Sequence, residues 1–132
     1  MRLLVVEGNT KETWVERELV GGVPYHKRFQ FMLETLHPTA KVQVAFPADG
    51  LNELPSLNEI KSFDGVLWTG SSLYVNDPIE SVTGQLDFAE TVFQSGIPFY
   101  GSCWGLQIAA VVAGGKVGTS PHGREIGITK PI

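Results

Sequence analysis

The feature that most constrains the fold of this chain is the alternation of short apolar runs with amphipathic segments. Four runs rich in β-branched and aromatic residues are followed by polar, glycine or proline residues, a pattern typical of buried strands. They are residues 2–6, 41–46, 65–69 and 97–100. Strands separated by helices in this way predict an α/β fold of three layers, in which a mostly parallel sheet has helices on both faces.

Three further segments carry apolar residues at helical spacing. They are residues 24–36, a segment around residues 82–93, and residues 103–113. In the second of these, the pattern places Val82, Leu86, Ala89 and Phe93 toward the core and Gln85 toward solvent. The third segment ends at two glycines, and residues 116–118 are predicted to start a fifth strand.

Length and composition limit the classes of function. A chain of 132 residues suits one domain, and 10 Lys and Arg against 14 Asp and Glu give a net charge of −4. Without a dense basic block, nucleic acid is not an expected partner. The apolar stretches are too short for a membrane span or a signal peptide, so we expect a cytoplasmic protein. The spacing of His, Cys and acidic residues predicts no metal site, and no phosphate-binding motif predicts a nucleotide cofactor.

The only cysteine, Cys103, lies between Gly101 and Gly105 at the point where the fourth strand gives way to a helix. A Gly-x-Cys-x-Gly sequence in this context is typical of a nucleophile elbow, a tight turn that raises the side chain above the sheet edge. The helix N-terminus favours a thiolate, and the N–H of Trp104 would face an oxyanion. The alternative is that Cys103 is a small buried apolar residue.

Two other residues are placed near Cys103 by the topology. The carboxyl ends of parallel strands meet at one edge of a sheet, so we expect the loops at residues 7–11, 70–74 and 101–105 to lie together. Gly70 would offer a second backbone N–H to an oxyanion, unless it is an ordinary turn glycine. Gln107 follows Cys103 by four residues and so shares its side of the helix, where its amide would hold a polar substrate group. Its alternative is a plain polar helix residue.

Four segments of the sequence resemble the class I, triad-type glutamine amidotransferases, most of all the stand-alone relatives of the glutaminase domain of GMP synthetase. The segments are Leu67-Trp68-Thr69-Gly70-Ser71, Gly101-Ser102-Cys103-Trp104-Gly105-Leu106-Gln107, Gly114-Gly115-Lys116-Val117 and Gly123-Arg124-Glu125-Ile126-Gly127. The resemblance implies a flavodoxin-like fold. It also implies hydrolysis of the side-chain amide of glutamine, with ammonia passed to an acceptor reaction on a synthetase partner.

The same resemblance implies a role for each matching residue. Cys103 would be the nucleophile that forms a γ-glutamyl thioester. The backbone N–H groups of Gly70 and Trp104 would form the oxyanion hole, and Ser71 and Gln107 would bind the glutamine.

The chain departs from the family pattern in its general base. Family members carry a His-x-Glu sequence near the end of the domain, and this chain has none. We expect His26 and His37 to be surface or capping residues and His122 to be a loop residue. The sequence therefore predicts an amidotransferase domain that is incomplete at its C-terminus. The alternatives are a γ-glutamyl peptide hydrolase or a protease-like or chaperone-like relative, and a binding module that has lost the base.

Overall fold

The structure, a computed structural model, describes residues 1–51 and 53–123. It contains a sheet of four parallel strands in the order β2-β1-β3-β4. The strands are β1 Arg2–Val6, β2 Lys41–Ala45, β3 Gly65–Trp68 and β4 Phe99–Gly101. Val6 is paired with Ala45 and with Trp68, and Trp68 is paired with Gly101, so all four strands end at the same edge. The four predicted strands and their parallel arrangement are confirmed.

Five α-helices connect or follow these strands. They are α1 Lys11–Leu19, α2 Tyr25–Leu36, α3 Leu57–Ile60, α4 Glu80–Ser95 and α5 Trp104–Val112. The connections from β1 to β2 and from β3 to β4 run in opposite directions along the sheet. Because such crossovers are right-handed, their helices lie on opposite faces. The predicted three-layer α/β fold is therefore confirmed. None of the helices in the described part of the chain is long and apolar enough to cross a bilayer.

The structure corrects one prediction about secondary structure and adds one helix that was not predicted. Residues 116–118 form no strand, and the carbonyl of Val117 accepts a hydrogen bond from the Asn76 side chain at 2.9 Å. Helix α1 was not predicted, because its sequence carries no apolar stripe. In the structure none of its residues is buried. Its start is marked by Thr10, whose hydroxyl accepts from the N–H of Thr13. That N-cap is the one sequence signal that predicts this helix.

The first turn of α2, and not its apolar stripe, is the buried part of that helix. The predicted stripe is only partly covered, since Met32 and Leu36 are 42% and 76% exposed. The buried residue is His26.

The core lies between the sheet and helices α4 and α5. The buried apolar residues of one cluster come from β1, β2, β3, α3, α4, α5 and their connections: Leu4, Val6, Ala45, Ile60, Phe63, Val66, Trp68, Val75, Val82, Phe88, Ala89, Val92, Trp104 and Ile108. The prediction that Gln85 faces solvent is wrong, because the side chain is fully buried in this core. Val82 and Ala89 are buried as predicted, whereas Phe93 is 39% exposed.

Gln85 is buried because its amide satisfies four polar groups that the fold brings together. Its Oε1 accepts from the indole N–H of Trp104 at 2.8 Å and from that of Trp68 at 3.3 Å. Its Nε2 donates to the carbonyls of Gly8 and Ser81 at 3.0 and 2.8 Å. A buried polar side chain is stable only with such partners. Gln85 thus joins α4 to β3, to the start of α5 and to the loop after β1.

The turn from β4 into α5 has no room for a side chain at Gly101 or Gly105, the residues two before and two after Cys103. A Cβ atom at Gly101 would lie 2.5 Å from the carbonyl carbon of Gly105. A Cβ atom at Gly105 would lie 2.7 Å from the carbonyl oxygen of Trp68. The same oxygen accepts the N–H of Ser102 at 3.0 Å. Helix α5 therefore begins directly against β3, and both glycines are required for that contact.

We predict that Gly105→Ala lowers the free energy of unfolding by about 1–3 kcal/mol, since the added methyl group meets backbone that must move. The measurement is urea unfolding followed by fluorescence. Gly118→Ala is the matched control, because a Cβ there meets nothing within 4 Å. Equal losses in the two variants would contradict the close packing of α5 on β3.

We also predict that Gln85→Leu destabilises the protein by about 1–3 kcal/mol for each buried group that loses its partner. Gln94→Leu, at an exposed position of the same helix, is the control and changes stability little. Thermal and urea unfolding of both variants measure the difference. If the two substitutions have the same effect, Gln85 is not the junction that the hydrogen bonds indicate.

Candidate active site

Cys103 has a positive φ, with φ 49° and ψ −97°, a combination that residues other than glycine rarely adopt. Within residues 1–51 and 53–123 it is the one non-glycine residue with a positive φ. It is the N-cap residue of α5, and it is exposed. The alternative that Cys103 is a buried apolar residue is therefore wrong. The strained turn that the sequence predicts is present, and strain of this kind persists only where surrounding packing holds it.

The three loops that follow β1, β3 and β4 meet at this turn, as predicted. A Cβ atom at Gly8 would lie 2.7 Å from Cδ1 of Trp104 and 2.9 Å from the carbonyl oxygen of Gly70. A Cβ atom at Gly70 would lie 3.9 Å from the Cβ of Cys103 and 3.7 Å from Cε2 of Tyr25. Gly70 is therefore in contact range of the cysteine, and Tyr25 of α2 borders the same place.

Two backbone donors beside Cys103 have no acceptor in the described part of the protein. Neither the N–H of Gly70 nor that of Trp104 donates a hydrogen bond to another described residue. Trp104 is the first residue of α5, where a helix leaves its N–H groups without internal partners. The arrangement thus combines an exposed thiol with two available N–H groups on neighbouring chain segments. Such groups are able to bind an oxygen atom that gains negative charge.

The two residues expected to bind substrate have different surroundings. Gln107 lies in the first turns of α5, where it is partly exposed and its N–H donates to the carbonyl of Cys103 at 3.1 Å. Ser71 is also partly exposed, but its hydroxyl donates to Oδ1 of Asn9 at 3.1 Å and accepts from the N–H of Leu73. In this structure the Ser71 hydroxyl is thus engaged in holding its own loop.

Sequence reasoning missed the most extensively hydrogen-bonded group near the site, the side chain of Glu7. Glu7 is fully buried at the end of β1. Its Oε2 accepts from the N–H of His26 and lies against the ring Nδ1 of the same residue, both at 2.8 Å. Its Oε1 accepts from the N–H and Nδ2 of Asn9, both at 3.0 Å. The available sequence signal was an acidic residue, Glu7, directly after the apolar run of β1, because such a position is usually buried.

The pKa of Glu7 is lowered from its ordinary value of 4.5. Burial alone raises it, but hydrogen bonds from the His26 side chain and from the N–H groups of Asn9 and His26 lower it further than burial raises it. Glu7 is consequently ionised at neutral pH. Since an ionised carboxylate only accepts hydrogen bonds, the Nδ1 atom of His26 carries the proton in this pair.

The prediction that His26 is a surface or capping residue is wrong. Its ring is buried against Trp14 and Phe46, with centroid distances of 5.3 and 5.1 Å, and it is paired with Glu7. His37 is the C-cap residue of α2, which agrees with a capping position. His122 is exposed in a turn. Among residues 1–51 and 53–123, no group of three His, Cys, Asp or Glu side chains is placed to hold a metal ion.

The Tyr25 ring, which borders Gly70, lies near two basic side chains. The guanidinium of Arg17 lies 4.6 Å from the centroid of the Tyr25 ring, and that of Arg28 lies 6.0 Å from it. A cavity of about 440 Å³ lies elsewhere, at the end of β2, where it is lined by residues 44–46, 49, 50, 53 and 54. Cys103 is not among the residues that line this cavity.

Comparison with known proteins adds a family to this geometry. The family model of class-I glutamine amidotransferases matches residues 32–132. The chain is similar to a γ-glutamyl-L-1-hydroxyisopropylamide hydrolase of Pseudomonas sp, with 36% identity over 120 residues that cover 89% of this chain. The matched part spans 39% of the length of that relative. No solved structure matches the chain significantly.

The segments resembling this family include the Cys103 turn and residues 67–71, which the structure brings together. Residues 124–127 of the last segment lie outside the described residues. The match covers well over half of the chain, and the relative with this degree of identity is a hydrolase of a γ-glutamyl compound. This chain belongs to the class-I glutamine amidotransferase family.

Proposed function

We propose that Cys103 is the nucleophile of a glutaminase site, which hydrolyses the side-chain amide of glutamine. The observation that carries the proposal is the exposed, strained cysteine at the start of α5 with two unengaged backbone N–H groups beside it. This is the arrangement that acyl transfer to a thiol requires.

The proposed reaction proceeds in two steps. The sulfur of Cys103 attacks the amide carbon, and the negative charge on the oxygen is stabilised by the N–H groups of Gly70 and Trp104. The carbon–nitrogen bond then breaks, and the nitrogen leaves as ammonia after gaining a proton. Water next hydrolyses the γ-glutamyl thioester to glutamate and restores the thiol. Ser71 and Gln107 are proposed to hold the glutamine at the start of α5.

The proton transfers need a base, and no histidine of residues 1–51 and 53–123 is hydrogen-bonded to the Cys103 thiol. His26 is buried in its pair with Glu7, His37 ends α2, and His122 lies in an exposed turn. No His-x-Glu sequence occurs in the chain. We therefore propose that the base and its carboxylate come from outside the described residues. Delivery of ammonia to an acceptor on a synthetase partner belongs to the same proposal.

The similar Pseudomonas hydrolase favours a second candidate, in which the substrate is an N-substituted γ-glutamyl amide. The chemistry at Cys103 is unchanged, but the leaving group is an amine in place of ammonia. No ammonia acceptor is then required. In this candidate the substituent on the leaving nitrogen extends toward solvent from the exposed Cys103.

We predict that a glutamine-like chloroketone alkylates Cys103 at least about tenfold faster than it alkylates a free peptide thiol, because binding next to the sulfur raises the effective concentration. Glutamine protects the thiol. Mass spectrometry measures the rate, which is specific because the chain has a single cysteine. Cys103→Ser is the control and remains unmodified.

Competition distinguishes the candidates without requiring the missing base. Protection by glutamine supports the glutaminase, and stronger protection by a γ-glutamyl isopropylamide at the same concentration supports the substituted amide. Glutamine binding in calorimetry without selective alkylation would indicate a binding module. Equal reaction of the folded and urea-unfolded chain with iodoacetamide, without protection by glutamine, would refute an active-site thiol.

A further inference from the structure

Ser71 and Ser72, in the loop after β3 (residues 69–73), are bound by one side chain from the loop after β1, that of Asn9. Oδ1 of Asn9 accepts from the N–H of Ser72 at 3.0 Å and from the Ser71 hydroxyl at 3.1 Å. The Ser72 hydroxyl lies 3.3 Å from the same oxygen. Asn9 is 2% exposed, so water does not replace these contacts. Gly70 lies between Thr69, which is bound to Val6 and Gly8, and Ser71, so the amide of Asn9 fixes the side of Gly70 that faces Ser71.

Glu7 fixes which way this amide points. Its Oε1 accepts from Nδ2 of Asn9, and a carboxylate binds only donors. The nitrogen of the Asn9 amide must then face Glu7, and the oxygen must face the loop after β3. The Thr69 hydroxyl strengthens the junction, since it accepts from the N–H of Gly8 at 2.9 Å and lies 3.4 Å from Oε1 of Glu7.

The other oxygen of Glu7 connects the junction to α2. Helix α2 begins after Pro24, which provides no side-chain cap, and Oε2 of Glu7 accepts from the N–H of His26 in its first turn. A carboxylate is favoured at a helix N-terminus. Tyr25, next to His26, borders Gly70. One buried charge thus holds two of the segments that surround the Cys103 turn, although a buried charge is weak support for stability on its own.

We propose that Glu7 and Asn9 are positioning residues, which hold the Gly70 N–H where it donates to the oxygen of a substrate attacked by Cys103. This rests on the proposed function of Cys103. The Cys103 turn itself is held separately, by contacts of Gly101 and Gly105 with β3 and α5. Loss of the junction therefore displaces the Gly70 N–H and leaves the thiol in place.

Two alkylating reagents separate these effects. Iodoacetamide reports access to the thiol. The glutamine-like chloroketone reacts faster than access alone allows only when it is bound at the site, with its carbonyl oxygen at the Gly70 N–H. In Glu7→Gln we expect the ratio of chloroketone to iodoacetamide rate constants to fall by about tenfold or more, as part of the 10²–10³ effect of losing an oxyanion donor. The iodoacetamide rate stays near that of the parent protein.

Asn9→Ala is the second variant, because it leaves the pair of Glu7 and His26 in place and removes the link to Ser71 and Ser72, together with the hydrogen bond from Asn9 Nδ2 to Oε1 of Glu7. We expect the same fall in the ratio. Asp49→Asn is the matched control, since Asp49 is also a carboxylate that accepts from a helix N-terminus, at the N–H of Lys11. Its ratio stays at the parent value.

The outcomes are distinct. If Glu7→Gln unfolds, its iodoacetamide rate reaches that of the urea-unfolded chain, and Asn9→Ala decides the question. A folded Asn9→Ala or Glu7→Gln protein that keeps the parent ratio overturns this inference alone. A parent protein without glutamine-protected labelling overturns the proposed function and the inference together.

Discussion

The contact of α5 with the end of β3 is the constraint on which the rest of the site depends. Gly105 lies so close to the carbonyl oxygen of Trp68 that even a methyl group would meet it at 2.7 Å. Because the helix begins there, the chain must reverse within Ser102 and Cys103, and Cys103 takes a positive φ. The exposure of the thiol follows from this packing.

Two buried polar side chains fix the segments around that turn. Gln85 joins the indoles of Trp68 and Trp104 to the carbonyl of Gly8, and Glu7 joins the first turn of α2 to Asn9. Both are fully buried, and in each the polar atoms are satisfied by partners from distant parts of the sequence. Apolar packing builds the layers, and these hydrogen bonds set the relative positions of the loops at the edge of the sheet.

The sequence predicts the parts of the molecule that local patterns encode. Apolar periodicity identifies the four strands, and the spacing of Gly101 and Gly105 identifies the turn. Burial of Gln85 and His26 was not predictable, because each depends on a partner supplied by another element of the fold. Helix α1 escaped prediction for a related reason, since it buries no residue. The sequence does not identify the general base, because no His-x-Glu is present. Among the described residues, the structure shows no histidine hydrogen-bonded to the Cys103 thiol.

The central claim is that Gly70 and Trp104 donate to the substrate oxygen when Cys103 reacts. The direct measurement is the amide proton shift of both residues in ¹⁵N–¹H spectra of two Cys103 adducts. The chloroketone adduct carries a ketone oxygen in the place of the amide oxygen, and the methyl disulfide formed with methyl methanethiosulfonate, which has no carbonyl oxygen, serves as the reference. The account predicts downfield shifts of both amide protons in the chloroketone adduct. Unchanged shifts at both residues would contradict it.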